Sequence, residues 1–208
     1  MSQKASQIVA EQIISKPNSV LGLATGSTSI EMYEHLAEMY TENRIDFSQI
    51  KTFNLDEYCG LPVSNAQSYY YFVQENLFQK INLRQEQTNT PNAMAENLAL
   101  ECVNYDNRIN SSGGIDLRVL GIGNNAHIGF NEPKEYFEKG THIVQLDYST
   151  LKANVRFFDD DIDKVPKEAI TMGIGSIFKS KKILLLASGE SKAKAIYDTL
   201  YGKIDPCV

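Results

Sequence analysis

The sequence predicts an α/β fold, a Rossmann-like, open and mostly parallel sheet with helices on both faces. Two observations carry that expectation. Short apolar runs alternate with segments of helical period, and several runs are apolar nearly throughout, as strands covered on both faces must be. The runs are Val20 to Ala24, Ile50 to Leu55, Ile115 to Ile122, Ile143 to Leu146, Ile170 to Ile174 and Ile183 to Ala187. Their alternation with helices places them in a parallel sheet joined by right-handed crossovers.

The intervening helices are written as apolar stripes. Ala5, Ile8, Val9 and Ile13 form the first, Ile30, Tyr33, Ala37 and Tyr40 the second, and Leu98, Cys102, Tyr105 and Ile109 the third. The third ends at Asn110-Ser111-Ser112-Gly113-Gly114, a strong helix stop. Two more helices are expected at Ser68 to Phe78 and Ser191 to Leu200. With no repeat or linker, residues 1–208 read as one domain, and one or two edge strands of such a sheet are expected to lie beyond its ends.

Composition narrows the function. At 208 residues with 42% hydrophobic and 22% charged side chains, the chain can bury a sizeable core. Its net charge of -6 and lack of a basic run argue against a nucleic-acid partner. Absence of a long apolar segment argues against a membrane. The cysteines Cys59, Cys102 and Cys207 are dispersed and read as free thiols of a reducing, cytoplasmic compartment.

Four stretches could carry chemistry. In Thr25-Gly26-Ser27-Thr28 a strand runs through a small-residue turn into a helix, so backbone N–H groups could cradle a phosphate. The same residues also suit an ordinary capped helix, with Thr28 and Glu31 as a capping box. Asp56 and Glu57 follow the end of an apolar strand, where open α/β sheets bind ligands, and either carboxylate could serve as a base or simply open a loop. Gly121-Ile122-Gly123-Asn124-Asn125-Ala126-His127-Ile128-Gly129-Phe130-Asn131-Glu132-Pro133 sets a histidine between a glycine-rich turn and a carboxylate, the makings of a proton-transfer site. Ser188-Gly189-Glu190-Ser191-Lys192 opens another helix with a cation where the helix dipole would prefer an anion. Arg156 could clamp a phosphate or pair with Asp159 to Asp161. His35 and His142 make no metal-ligand spacing with His127, so no metal is expected.

These stretches, together with Phe53-Asn54-Leu55-Asp56-Glu57-Tyr58, Ser68-Tyr69-Tyr70-Tyr71-Phe72 and Arg156-Phe157-Phe158, resemble in content and order the glucosamine-6-phosphate deaminases of the glucosamine/galactosamine-6-phosphate isomerase family. The resemblance spans nearly the whole chain. It implies a fold related to ribose-5-phosphate isomerase and the CoA-transferases. It also implies conversion of glucosamine 6-phosphate and water to fructose 6-phosphate and ammonia, without metal or organic cofactor. Carried over by motif, His127 assists ring opening, oriented by Glu132 and positioned by Asn125, and Asp56 moves a proton between C2 and C1. Thr25, Gly26, Ser27, Thr28, Glu57, Gly123, Arg156 and Lys192 bind substrate, with the phosphate on the Gly26-Ser27-Thr28 turn.

Two departures stand out. Ala126 replaces the glycine usual before the histidine. His142 and Val144 stand where allosterically regulated members carry arginine and lysine, so activation by N-acetylglucosamine 6-phosphate is not expected. A small-molecule substrate is the expected partner, with the chain acting as monomer or homo-oligomer. The alternatives are a 6-phosphogluconolactonase-like or ribose-5-phosphate isomerase-type enzyme, or a non-catalytic sugar-phosphate sensor.

Overall fold

The structure, a computed structural model, describes residues 1–148, 151–152, 155, 158 and 160–206. Arg156, Asp159 and Cys207 lie outside the described residues. The strands in chain order are β1 (Val20–Leu23), β2 (Lys51–Asn54), β3 (Asp56–Tyr58), β4 (Thr88–Asn89), β5 (Leu117–Gly121), β6 (His142–Gln145), β7 (Glu168–Thr171) and β8 (Ile183–Leu186). The helices are α1 (Ser2–Ser15), α2 (Ser27–Thr41), α3 (Tyr69–Asn76), α4 (Leu98–Ser111), α5 (Ile174–Phe178) and α6 (Ala193–Tyr201).

A parallel sheet in the order β4-β2-β1-β5-β8 forms the centre. Strand alternation sorts its side chains between two cores. Leu21, Leu23, Leu117 and Val119 pack with α1, α2 and α3, through residues such as Val9, Met32, Leu36 and Val73. Val20, Phe53 and Leu120 pack on the other face with Tyr105 and Ile109 of α4 and Ile177 of α5. Each large apolar side chain withdrawn this way stabilises the fold by about 1.5–3 kcal/mol before entropy is counted. Helices therefore cover both faces of a mostly parallel sheet, as the apolar strands predict.

Two predicted strands belong elsewhere. The runs at 143–146 and 170–174 were expected in the parallel sheet, but β6 and β7 pair antiparallel with each other, and β7 pairs antiparallel with β3. Apolar runs report burial and not pairing direction, and β6 keeps a solvent-facing side that parallel central strands lack. The run at 170–174 also ends early, since Gly173 caps α5 at Ile174.

The chain passes directly from one sheet to the other. After Asn54 the backbone turns at Leu55, and Asp56 opens β3 in the antiparallel sheet. Met172 N–H donates to the Leu55 carbonyl at 3.0 Å and fastens this seam. Strand order also reverses around β1, since the chain first builds outward through β2 and β4 and then returns to β5 on the other side. Such a switch point opens a crevice at the carboxyl ends of the strands.

Candidate active site

That crevice is an open cleft of about 690 Å³, lined by the segments following β1, β2, β5 and β8. The β1 segment contributes Thr25, Gly26, Ser27 and Thr28. Gly26, at φ +104°, is the N-cap of α2, and no side chain caps the helix start. The expected capping box of Thr28 and Glu31 is therefore absent. Amides of the first turn without a side-chain cap, next to hydroxyl groups, suit an anion. Lys192 lines the cleft from the β8 side. It ends a short 3₁₀ turn, Glu190–Lys192, and is the N-cap of α6, one position before the helix proper. Its cation faces the same cleft as the α2 amides.

The segment after β5 folds back on itself. Gly123 N–H donates to the His127 carbonyl at 2.8 Å, and Ala126 N–H to the Gly123 carbonyl at 3.2 Å. Ala126 adopts φ +66°, the left-handed conformation that favours glycine. The imidazole of His127 lies against Gly123, where any Cβ would overlap the ring. Its Nδ1 stands 3.4 Å from Glu132 Oε2, at ion-pair distance but without hydrogen-bond geometry. The same carboxylate oxygen accepts from Asn125 Nδ2 at 2.8 Å, and His127 N–H reaches Asn125 Oδ1 at 3.4 Å. Asn125, His127 and Glu132 thus form one cluster on the cleft wall. The His127 side chain stays 36% exposed, open to a ligand.

Asp56 faces them from the seam between the sheets and is only 5% exposed. Its approach to the cleft needs Gly129, at φ +61°. A Cβ there would stand 3.0 Å from Asp56 Oδ2 and 2.8 Å from Thr171 Oγ1. Burial pushes the Asp56 carboxyl up to about 8, the neighbouring Glu57 adds to the rise, and Arg118 opposes it. A carboxylate with its pKa near neutrality is a stronger base than an ordinary aspartate.

Glu57 has a different task from the expected substrate contact. Its carboxylate is buried and accepts from Ser68 Oγ at 2.8 Å and from the N–H groups of Tyr58, Tyr69 and Tyr70 at 2.9 Å each. It caps α3 and does not line the cleft. Consecutive residues of a strand point to opposite sides, so Asp56 and Glu57 cannot both face the ligand. Arg156 lies outside the described residues. The remaining predicted site residues all line the cleft: Asp56, Asn125, His127, Glu132, Thr25, Gly26, Ser27, Thr28, Gly123 and Lys192.

Tyr69 lines it too, its ring parallel to that of Phe130 at 5.9 Å between centroids. Nothing in the tyrosine run 69–71 singles out which ring turns inward. Thr171, whose Oγ1 accepts from Phe130 N–H at 3.3 Å, carried no sequence signal either. Among the described residues no group of three or more His, Cys, Asp or Glu side chains could hold a metal ion, and no helix is long and apolar enough to cross a membrane.

A family model described as glucosamine-6-phosphate isomerases/6-phosphogluconolactonase matches residues 1–207. The chain belongs to that family. Relatives within it include a glucosamine-6-phosphate deaminase of Clostridium botulinum (strain Alaska E43 / Type E3), 62% identical over 99% of this chain and 82% of its own length. The glucosamine-6-phosphate deaminase of Clostridioides difficile (strain 630) is 59% identical with the same coverage. A solved monomeric glucosamine-6-phosphate deaminase superimposes with a TM-score of 0.93 at 44% identity, covering 99% of this chain and 85% of that one. A 6-phosphogluconolactonase from Thermotoga maritima, at 20% identity and a TM-score of 0.74, shares the fold of the isomerase family and shows nothing further.

Proposed function

We propose that this protein converts glucosamine 6-phosphate and water to fructose 6-phosphate and ammonia, as its deaminase relatives are named for doing. One observation carries the reading. A buried carboxylate and a histidine–carboxylate pair face one cleft, at whose end a helix start and a lysine are placed for an anion.

The sugar phosphate is anchored at Gly26, Ser27 and Thr28 with Lys192 as counter-charge, which orients the reacting carbons without taking part in the chemistry. His127, held by Glu132 and Asn125, moves a proton between the C1 hydroxyl and the ring oxygen, opening the pyranose to an aldehyde. Asp56 takes the C2 proton. The electron pair left behind forms the C1–C2 double bond, and the aldehyde oxygen takes up the proton that the C2 ammonium gives up, leaving an enolamine. Return of the proton to C1 yields an imine at C2. Water adds there, the C–N bond breaks, and ammonia leaves behind the ketone.

The dispersed cysteines favour a reducing, cytoplasmic setting for this amino-sugar catabolism. Ammonia release from glucosamine 6-phosphate tests the proposal, with Asp56→Asn expected to lower kcat by about a thousandfold. No release by the folded wild type would sink the reaction. Hydrolysis of 6-phosphogluconolactone in its place would favour the lactonase alternative, and tight binding without turnover the sensor.

A further inference from the structure

Among the buried groups that the proposed chemistry does not use, Arg118 is the one with the largest consequence. It is the second residue of β5, among apolar neighbours on that strand, and is fully buried. Its register partner on β1 is Gly22, which pairs in turn with Phe53 on β2. A Cβ at Gly22 would overlap the guanidinium, so the glycine is the channel through which Arg118 crosses β1. Beyond it, Nη1 donates to the Phe53 carbonyl at 3.0 Å and reaches the Leu23 carbonyl at 3.4 Å, while Nη2 meets Met172 Sδ at 2.8 Å.

These contacts converge on the seam that carries Asp56. Arg118 holds the Phe53 carbonyl, Tyr105 Oη donates to the Asn54 carbonyl at 2.7 Å, and Met172 N–H holds that of Leu55. Three successive carbonyls before Asp56 are thereby fixed, and two of the three anchors involve Arg118 or the residue it touches. Nε of Arg118 is buried without a hydrogen-bond partner, and the partners of the guanidinium among the described residues are carbonyls and a thioether. Such groups solvate a buried cation but do not neutralise it. Arg118 thus brings a cation into the interior behind the strand end that carries Asp56, and it favours the ionised form of that carboxyl against burial and Glu57.

We propose that Arg118 is a positioning residue for the reaction: it fixes the end of β2 and supplies the counter-charge that makes Asp56 available as a carboxylate base. This rests on the deaminase reading, in which Asp56 is the base. Several other groups act on Asp56: Glu57 on β3 opposes its ionisation, and Tyr58, Tyr69 and Tyr105 interact with its charge from β3, α3 and α4. His127 and Lys192 face it across the cleft. Of these, Arg118 is the cation buried in the protein on the side away from the ligand.

The test follows the Asp56 carboxyl directly, by carbon NMR over a pH series, beside the pH profile of kcat/KM for ammonia release. Arg118→Met and Arg118→Gln are expected to raise both the titration and the acid limb by about one pH unit. Arg118→Lys, which keeps the charge, is expected to recover at least half of that shift. Arg118→Gln retains a donor for the Phe53 carbonyl and carries the test if Arg118→Met does not fold, with folding followed by circular dichroism. A folded variant whose Asp56 titrates as in the wild type overturns the proposal, even if its activity falls. Wild-type activity in Asp56→Asn would instead overturn the base assignment, while the NMR titration would still decide the role of Arg118.

Discussion

Ala126 carries a conformational cost at the centre of the site. At φ +66° a residue with a Cβ is strained by roughly 1–2 kcal/mol relative to glycine. Ala126→Gly relieves that strain, partly offset by the greater freedom of glycine in the unfolded chain. A net gain of about 1 kcal/mol is expected, visible by calorimetry as a rise in Tm of about 2–4 °C. Beside it, Glu132→Gln keeps an acceptor for Asn125 Nδ2 but removes the charge facing His127. A fall in kcat of about 10–100-fold is expected, with KM nearly unchanged; a KM rise alone would assign Glu132 to binding. The sequence singled out His127 by its glycine-rich turn, whereas Asp56 stood out from an ordinary loop-opening carboxylate only through the family resemblance; both line the cleft. Arg118 was not legible, since a single charge within a strand gives no hint that Gly22 on another strand makes room for it.

At the scale of elements, the start of α3 is fixed by Glu57, the residue after Asp56. The Glu57 carboxylate accepts from three donors at the start of α3 and from the N–H of Tyr58 in β3, so Glu57→Ala leaves buried N–H groups without their acceptor. The expected loss is about 3 kcal/mol in urea unfolding. Faster amide exchange at Tyr69 and Tyr70 would localise it, and a loss spread evenly over the chain would contradict the cap. The sequence revealed the longer helices and the central strands because their apolar spacing is regular, but not the short α5 at Ile174–Phe178. It did not reveal that β6 and β7 form a second sheet, or that the run ending at Leu55 is cut there. Pairing partners are chosen across distances that no local pattern records.

Over the whole molecule, Asp56 couples the site to stability. Its folded pKa is raised from 3.8 to about 8, so the folded state holds the proton more tightly than the unfolded chain. The stability this confers is fully present below about pH 4 and is lost as pH rises through about 8. Asp56→Asn, neutral throughout, is expected to match the wild type near pH 4 and to exceed it near pH 8.5. The gain appears as about 2–4 °C in Tm for each kcal/mol recovered. A difference independent of pH would show that ionisation at Asp56 is not strained. The crevice itself was legible, since strand ends followed by small-residue turns recur at β1, β5 and β8.

The crossing at Leu55 gives the molecule an adjustable span. The proposed phosphate anchors belong to loops of the parallel sheet, whereas Asp56 is the first residue of the antiparallel one. The reach from those loops to Asp56 is therefore a spacing between two sheets, set by whatever lies between them. Met172 is one such shim, touching Arg118 through its sulfur and Leu55 through its backbone. A change of bulk at Met172 is expected to move Asp56 relative to the loops after β1 and β8 without altering any residue that lines the cleft.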